Sequence, residues 1–226
     1  MATEGLTTVR RRIAAAARRV GRDPAEVKLL AVSKGRSDAA VLEMYDAGQR
    51  AFGENRPDGL TDRLASNLPD DIEWHFVGNV QRRAIKAIAP SIVLLHSLDR
   101  QRLAETWERL ENPPPVLIEV NIGAEPQKHG FAPGDVLAAA DHLAAGGVAV
   151  HGLMIIPPQV EEAEQARRWF VALRELRETI REHHPGAVEL SMGMTDDFEV
   201  AVEEGASIVR VGRAIFEPTN REESGD

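Results

Sequence analysis

The chain contains no cysteine. Disulfides, thiolate metal sites and cysteine nucleophiles are therefore excluded. It has no apolar run near the ~20 residues of a membrane span and no apolar signal segment at its start, so a cytoplasmic protein without membrane contact is expected. It has no excess of positive charge either: 27 Lys and Arg stand against 36 Asp and Glu, a net charge of −9. An acidic chain is a poor non-specific binder of nucleic acid or anionic lipid. The arginines of the first helix (Arg10, Arg11, Arg12, Arg18 and Arg19) have no aromatic residues between them and read as a solvated face. The histidines are scattered without chelating spacing, so no metal site is expected. Linkers and low-complexity stretches are missing too. One domain over residues 1–226 is expected, with 1–5 and 218–226 frayed.

What is present is alternation. Of 226 residues, 43% are apolar, enough for a sizeable core. Val9, Ile13, Ala16, Ala17 and Val20 mark one face of a leading helix. Short apolar runs then recur as strands: Leu29–Val32, Ala51–Phe52, Glu73–Val77, Ile92–Leu95, Val116–Ile122, Val148–Met154, Val188–Ser191 and Ile208–Val211. Helical stretches lie between them, one opened by Asp99 as N-cap, and none is expected after the last strand. Eight strands in this length predict a single (β/α)8 TIM-type barrel with an extra N-terminal helix. The competing architecture is an open doubly wound sheet, which also alternates.

In a barrel, function gathers at the C-terminal ends of the strands. Lys34 follows the first strand. An amine at a buried strand end has a depressed pKa and becomes nucleophilic, although an ion-paired rim lysine is the commoner case. Asn55 follows the second strand. The seventh runs into Ser191-Met192-Gly193-Met194-Thr195, and the eighth into Gly212-Arg213. These last two loops form the usual phosphate site of this fold, although ordinary turns also use such glycines. Arg210 lies between Val209 and Val211, so alternation turns it into the barrel. Its acceptor there is either a carboxylate such as Glu54 or Glu119, or the ring nitrogen of a pyridine cofactor.

Several segments together resemble the pyridoxal phosphate homeostasis proteins (the YggS/PROSC type), whose fold is similar to the barrel domain of alanine racemase. They are Leu30-Ala31-Val32-Ser33-Lys34, Phe52-Gly53-Glu54-Asn55, Trp74-His75-Phe76-Val77-Gly78, Val120-Asn121-Ile122, Lys128-His129-Gly130-Phe131, Gly152-Leu153-Met154, Leu190-Ser191-Met192-Gly193-Met194 and Val209-Arg210-Val211-Gly212. The resemblance implies pyridoxal 5′-phosphate, held as a Schiff base on Lys34. It implies that Arg210 faces the pyridine nitrogen and that Thr195, Gly212 and Arg213 bind the phosphate, the last two through backbone N–H groups. Asn55 and Ser191 would line the pocket. The chain departs from the family at the rim, with Arg213 in place of a small hydroxyl residue and Arg56-Pro57-Asp58 in place of a stretch that often has Tyr and Gln. A lysine common near Arg83-Ala84 is absent, and Glu217-Pro218 replaces a glycine.

The same resemblance implies a carrier or buffer of the cofactor, not an enzyme. A racemase needs an acid and a base on opposite faces of the substrate carbon. The single tyrosine, Tyr45, lies on the apolar face of an early helix, and Ile156 stands where a racemase has its bracing histidine. Two alternatives remain: a single-domain racemase of low activity, and a cofactor-free interaction scaffold. The expected partners are the cofactor itself and the apo-enzymes that depend on it, with the chain a monomer or weak homodimer.

Overall fold

The computed structural model describes residues 2–217, so the expected fraying of 218–226 lies outside it. Eight parallel strands close into a barrel in sequence order. They are β1 (Lys28–Val32), β2 (Ala51–Glu54), β3 (Glu73–Phe76), β4 (Leu94–Leu98), β5 (Val116–Glu119), β6 (Val150–Met154), β7 (Glu189–Ser191) and β8 (Ile208–Val211). The seam is made by β1 and β8, with Leu30 opposite Arg210 and Ala31 opposite Val211. The open-sheet alternative is thereby excluded.

Helices cover the outside: α1 (Ala2–Arg19), α2 (Asp38–Asp46), α3 (Pro57–Ala65), α4 (Ile85–Ile88), α5 (Gln101–Trp107), α6 (Val136–Ala145), α7 (Arg167–His183), α8 (Phe198–Glu203) and α9 (Arg213–Phe216). Their apolar stripes pack on the outward side chains of the strands, as Val41 and Met44 of α2 do. Inside the barrel a second, smaller cluster of Leu30, Ala51, Leu94, Leu117, Met154 and Ile208 fills the lumen. Two residues further along β8 from Ile208, alternation brings Arg210 to the same interior side.

Several expectations are corrected. Residues 2–5 are not frayed but helical, and Gly5 packs against α9 so closely that a Cβ there would lie 2.3 Å from the Ile215 carbonyl oxygen. A short helix, α9, follows the last strand. Strand β4 begins two residues later than the apolar run suggests and carries a register shift between Leu95 and Leu98. Helix α5 starts after Arg100, and Asp99 is a buried carboxylate instead of its N-cap. The arginines of α1 are not simply solvated: Arg12 pairs with Glu199 at 2.8 Å and Arg19 with Glu203 at 2.7 Å, tying α1 to α8. Glu203 and Glu204 also pair with Arg167, which joins this region to α7.

One close approach sets a limit on sequence. Gly152 in β6 has φ +152°, and a Cβ there would sit 2.0 Å from the carbonyl oxygen of Glu189 in β7. Neither backbone can give way without breaking the β6–β7 ladder. Gly152→Ala is expected to destabilise the protein by about 2–3 kcal/mol, read as a lower urea midpoint. Gly186→Ala, where a Cβ meets nothing within 4 Å, should stay within about 0.5 kcal/mol of the parent.

Candidate functional site

The floor of the barrel mouth is Arg210. It is buried, yet no carboxylate holds it: Nη1 donates to the carbonyl oxygen and to Oγ of Ser191, both at 2.7 Å, and Nη2 donates to the Ile155 carbonyl at 2.8 Å. Among the described residues Nε makes no hydrogen bond. Burial lowers its pKa to about 10, with Glu119 and Asp197 opposing the shift, so the group stays charged at neutral pH. Of the two carboxylates expected as acceptors, Glu54 is engaged elsewhere. Glu119 is near enough to act through its charge but makes no ion pair with Arg210 among the described residues.

Lys34 sits on the turn that leaves β1, between Ser33 and Gly35. It is exposed, which corrects the expected burial of the amine, and among the described residues its Nζ joins no ion pair. The turn itself is held firmly by a residue that sequence reasoning missed. Arg63 of α3 is buried and donates through Nη2 to the carbonyls of Ser33 (3.2 Å) and Arg36 (2.5 Å), on either side of Lys34. It also pairs with Asp38 and, at 3.3 Å, with the buried Glu54. The Ser33 hydroxyl completes the clamp by donating to Glu54 at 2.7 Å. Gly212 lies beside this strand end, since a Cβ on it would stand 3.1 Å from the Val32 carbonyl oxygen.

The loops after β7 and β8 offer donors. Gly193 has φ +91°, and a Cβ on it would clash with Ala201 and Phe198. Met194 N–H is taken by Asp197 at 2.6 Å, whereas the N–H groups of Thr195, Gly212 and Arg213 have no protein acceptor among the described residues. The Arg213 side chain is exposed and pairs with Asp196 at the rim. Asn55 lies across the mouth, in a cleft of about 500 Å³ shared with Asn79 and Arg83. Its Oδ1 is buried without a hydrogen-bond partner, and Gly78 backs onto it so tightly that a Cβ there would lie 1.9 Å from the Asn55 carbonyl oxygen.

Two further groups escaped the sequence. Glu119 is pushed up to about 7 by burial, with nearby Asp99 adding to the shift and Arg210 and Arg100 opposing it. His75 and His96, far apart in sequence, meet inside the barrel with Nδ1 and Nε2 2.9 Å apart, and His96 Nδ1 lies 2.8 Å from Ser191 Oγ. Burial keeps both rings neutral: His75 falls to about 4, and His96 falls well below its usual range. Among the described residues, no group of three or more His, Cys, Asp or Glu is placed to hold a metal. No described helix is long and apolar enough to cross a membrane.

The comparisons with known proteins agree on one family. The model of the alanine racemase N-terminal domain matches residues 6–219. A pyridoxal phosphate homeostasis protein of Aquifex aeolicus is 41% identical over 95% of this chain and 97% of its own length. PipY of Synechococcus elongatus, solved with PLP bound, is 32% identical with a TM-score of 0.80, covering 96% of this chain and all of that one. Alanine racemase of Corynebacterium glutamicum shares the fold alone, at 15% identity and a TM-score of 0.72 over 94% of this chain and 61% of its own. The chain belongs to the pyridoxal phosphate homeostasis protein family, built on the alanine racemase N-terminal barrel.

Proposed function

We propose that the mouth of the barrel binds pyridoxal 5′-phosphate and that the whole chain, as one unit, carries or buffers the cofactor. The observation that carries this reading is Arg210, a charged guanidinium held only by neutral acceptors, with Nε left to donate. Such a donor suits the lone pair of an unprotonated pyridine nitrogen and repels a protonated one. The other groups fit the same molecule. Lys34 Nζ is free to attach the aldehyde as a Schiff base, and Arg63 fixes the turn that presents it. The free N–H groups of Thr195, Gly212 and Arg213 are donors for a phosphate, and Ser191 and Asn55 stand at the floor and rim.

When bound, the cofactor supplies an electrophilic aldehyde and an electron-withdrawing ring. The residues around it favour holding over turnover. Arg210 keeps the ring a weak electron sink. Tyr45 donates to Asp71, which precedes β3 and so lies towards the other end of the barrel, and it stacks under Arg50 at 3.8 Å, so it offers no second proton-transfer group. The relatives bear the name of homeostasis proteins and not of enzymes. Apo-enzymes that need the cofactor are the recipients this reading implies. One observation favours a second reading, a racemase of low activity: Glu119 has a pKa of about 7 beside Arg210, a value that suits a proton-transfer group.

Three outcomes test this. Borohydride reduction of the loaded protein is expected to fix pyridoxyl mass on the peptide carrying Lys34, and Lys34→Ala to lose it with the circular dichroism spectrum unchanged; an undiminished adduct would refute the assignment. Pyridoxal without its phosphate is expected to bind at least ~100-fold more weakly, since charge-assisted hydrogen bonds contribute about 1.5–3 kcal/mol each. Equal affinities would remove the phosphate site. Alanine in deuterium oxide is expected to exchange its Cα proton no faster than with free cofactor. The racemase reading requires instead a rate that rises with pH through about 7, as Glu119 loses its proton and becomes a base, and that vanishes in Glu119→Gln.

A further inference from the structure

A line of neutral hydrogen-bonding groups crosses the barrel interior beneath Arg210. It runs from Arg210 Nη1 to Ser191 Oγ (2.7 Å), to His96 Nδ1 (2.8 Å), and from His96 Nε2 to His75 Nδ1 (2.9 Å). Its far end is His75, which lines a cleft of about 780 Å³ at the opposite end of the barrel, beside Lys28 and Glu73. Ser191, His96 and His75 are all buried.

Donor counting gives the line a direction. Arg210 only donates, so it uses a lone pair of Ser191 Oγ. If His96 Nδ1 also donated to Ser191, the hydroxyl proton would have no acceptor among the described residues. A buried hydroxyl without an acceptor costs about 1–3 kcal/mol. His75 Nε2 is unpaired in either arrangement, so the Ser191 hydroxyl decides between them, and it is satisfied when its O–H donates to a bare His96 Nδ1. His96 then carries its proton on Nε2 and donates to His75 Nδ1, and His75 carries its proton on Nε2. That atom is buried without a protein partner at the wall of the cleft, where the line ends in a donor.

We propose that His96, backed by His75, is a positioning residue for Arg210: by accepting a hydrogen bond from the Ser191 hydroxyl it turns the Ser191 lone pairs onto the guanidinium and so fixes the guanidinium towards the mouth. Without an acceptor at 96, the hydroxyl rotates freely and the guanidinium loses one of its three fixed bonds. The inference rests on the proposed cofactor site only for its functional consequence, because the line exists in the protein without ligand.

The test uses the full chain labelled with nitrogen-15 on histidine and arginine. In cofactor-free wild type at neutral pH, His96 is expected to show a protonated Nε2 and a bare Nδ1, and His75 a protonated Nε2. A proton on His96 Nδ1 overturns the proposal without any variant being made. The Arg210 Nη signals are expected to be split by slow rotation in wild type and to coalesce in His96→Phe. His96→Asn, which keeps an acceptor for Ser191 but does not reach His75, should retain the splitting. Unchanged splitting in His96→Phe overturns the positioning role. In loaded protein, cofactor affinity is expected to fall about tenfold in His96→Phe and less than threefold in His96→Asn. A loss in His96→Asn as large as or larger than that in His96→Phe would mean that His96 only fills space. Should reduction leave no pyridoxyl on Lys34, the cofactor reading fails, and the tautomers and Arg210 splitting still decide this inference.

Discussion

A guanidinium inside a β-barrel must be hydrogen-bonded or it unfolds the interior. Arg210 meets that requirement with the Ser191 hydroxyl and the carbonyls of Ser191 and Ile155, and with no carboxylate. A carboxylate partner would neutralise the cation and leave a polar but neutral floor. Neutral acceptors orient it and keep its charge. This choice decides what the mouth can recognise: a lone pair is welcome above Arg210, and an N–H⁺ is not. It also explains why the β6–β7–β8 wall is so closely fitted, since all three acceptors come from it or from its immediate continuation.

The rest of the site follows from the closure of the barrel. Pairing of β1 with β8 brings the turn bearing Lys34 next to Gly212, so the Lys34 amine and the free N–H groups after β8 lie on either side of the seam. The turn would be loose on its own, because Gly35 at φ +69° gives it freedom. Arg63 removes that freedom by binding the carbonyls on both sides of Lys34, and its own charge is balanced by Glu54 and Asp38. Two buried arginines are thus held in opposite ways. Arg63 is balanced by carboxylates and braces the turn, whereas Arg210 is held by neutral acceptors alone and keeps its charge.

Residues at strand ends could be read in the sequence, because a barrel puts strand ends at the mouth whatever their detailed register. Lys34, Asn55, Ser191, Thr195, Gly212 and Arg213 lie at such ends. Arg210 was legible through alternation with two valines. The His75–His96 pair was not. The apolar run at Ile92–Leu95 places His96 beyond the strand, but β4 begins at Leu94, and alternation from Leu94 turns His96 inward. Asp99 was misread for a related reason: an aspartate before a helix resembles an N-cap, yet Asn79, Arg100 and His129 draw it into the mouth. Arg63 gave no local signal, since its partners Ser33, Arg36, Asp38 and Glu54 are gathered only by the fold. The exposure of Lys34 was equally invisible, because a turn's direction depends on its clamp and not on its strand.

The central claim is that Arg210 remains charged and presents a donor to the cofactor ring. The nitrogen-15 chemical shift of ring-labelled pyridoxal 5′-phosphate bound to the wild-type protein at neutral pH measures this directly. The account predicts the shift of an unprotonated pyridine nitrogen, unmoved across the neutral range; the shift of a protonated pyridinium would contradict it.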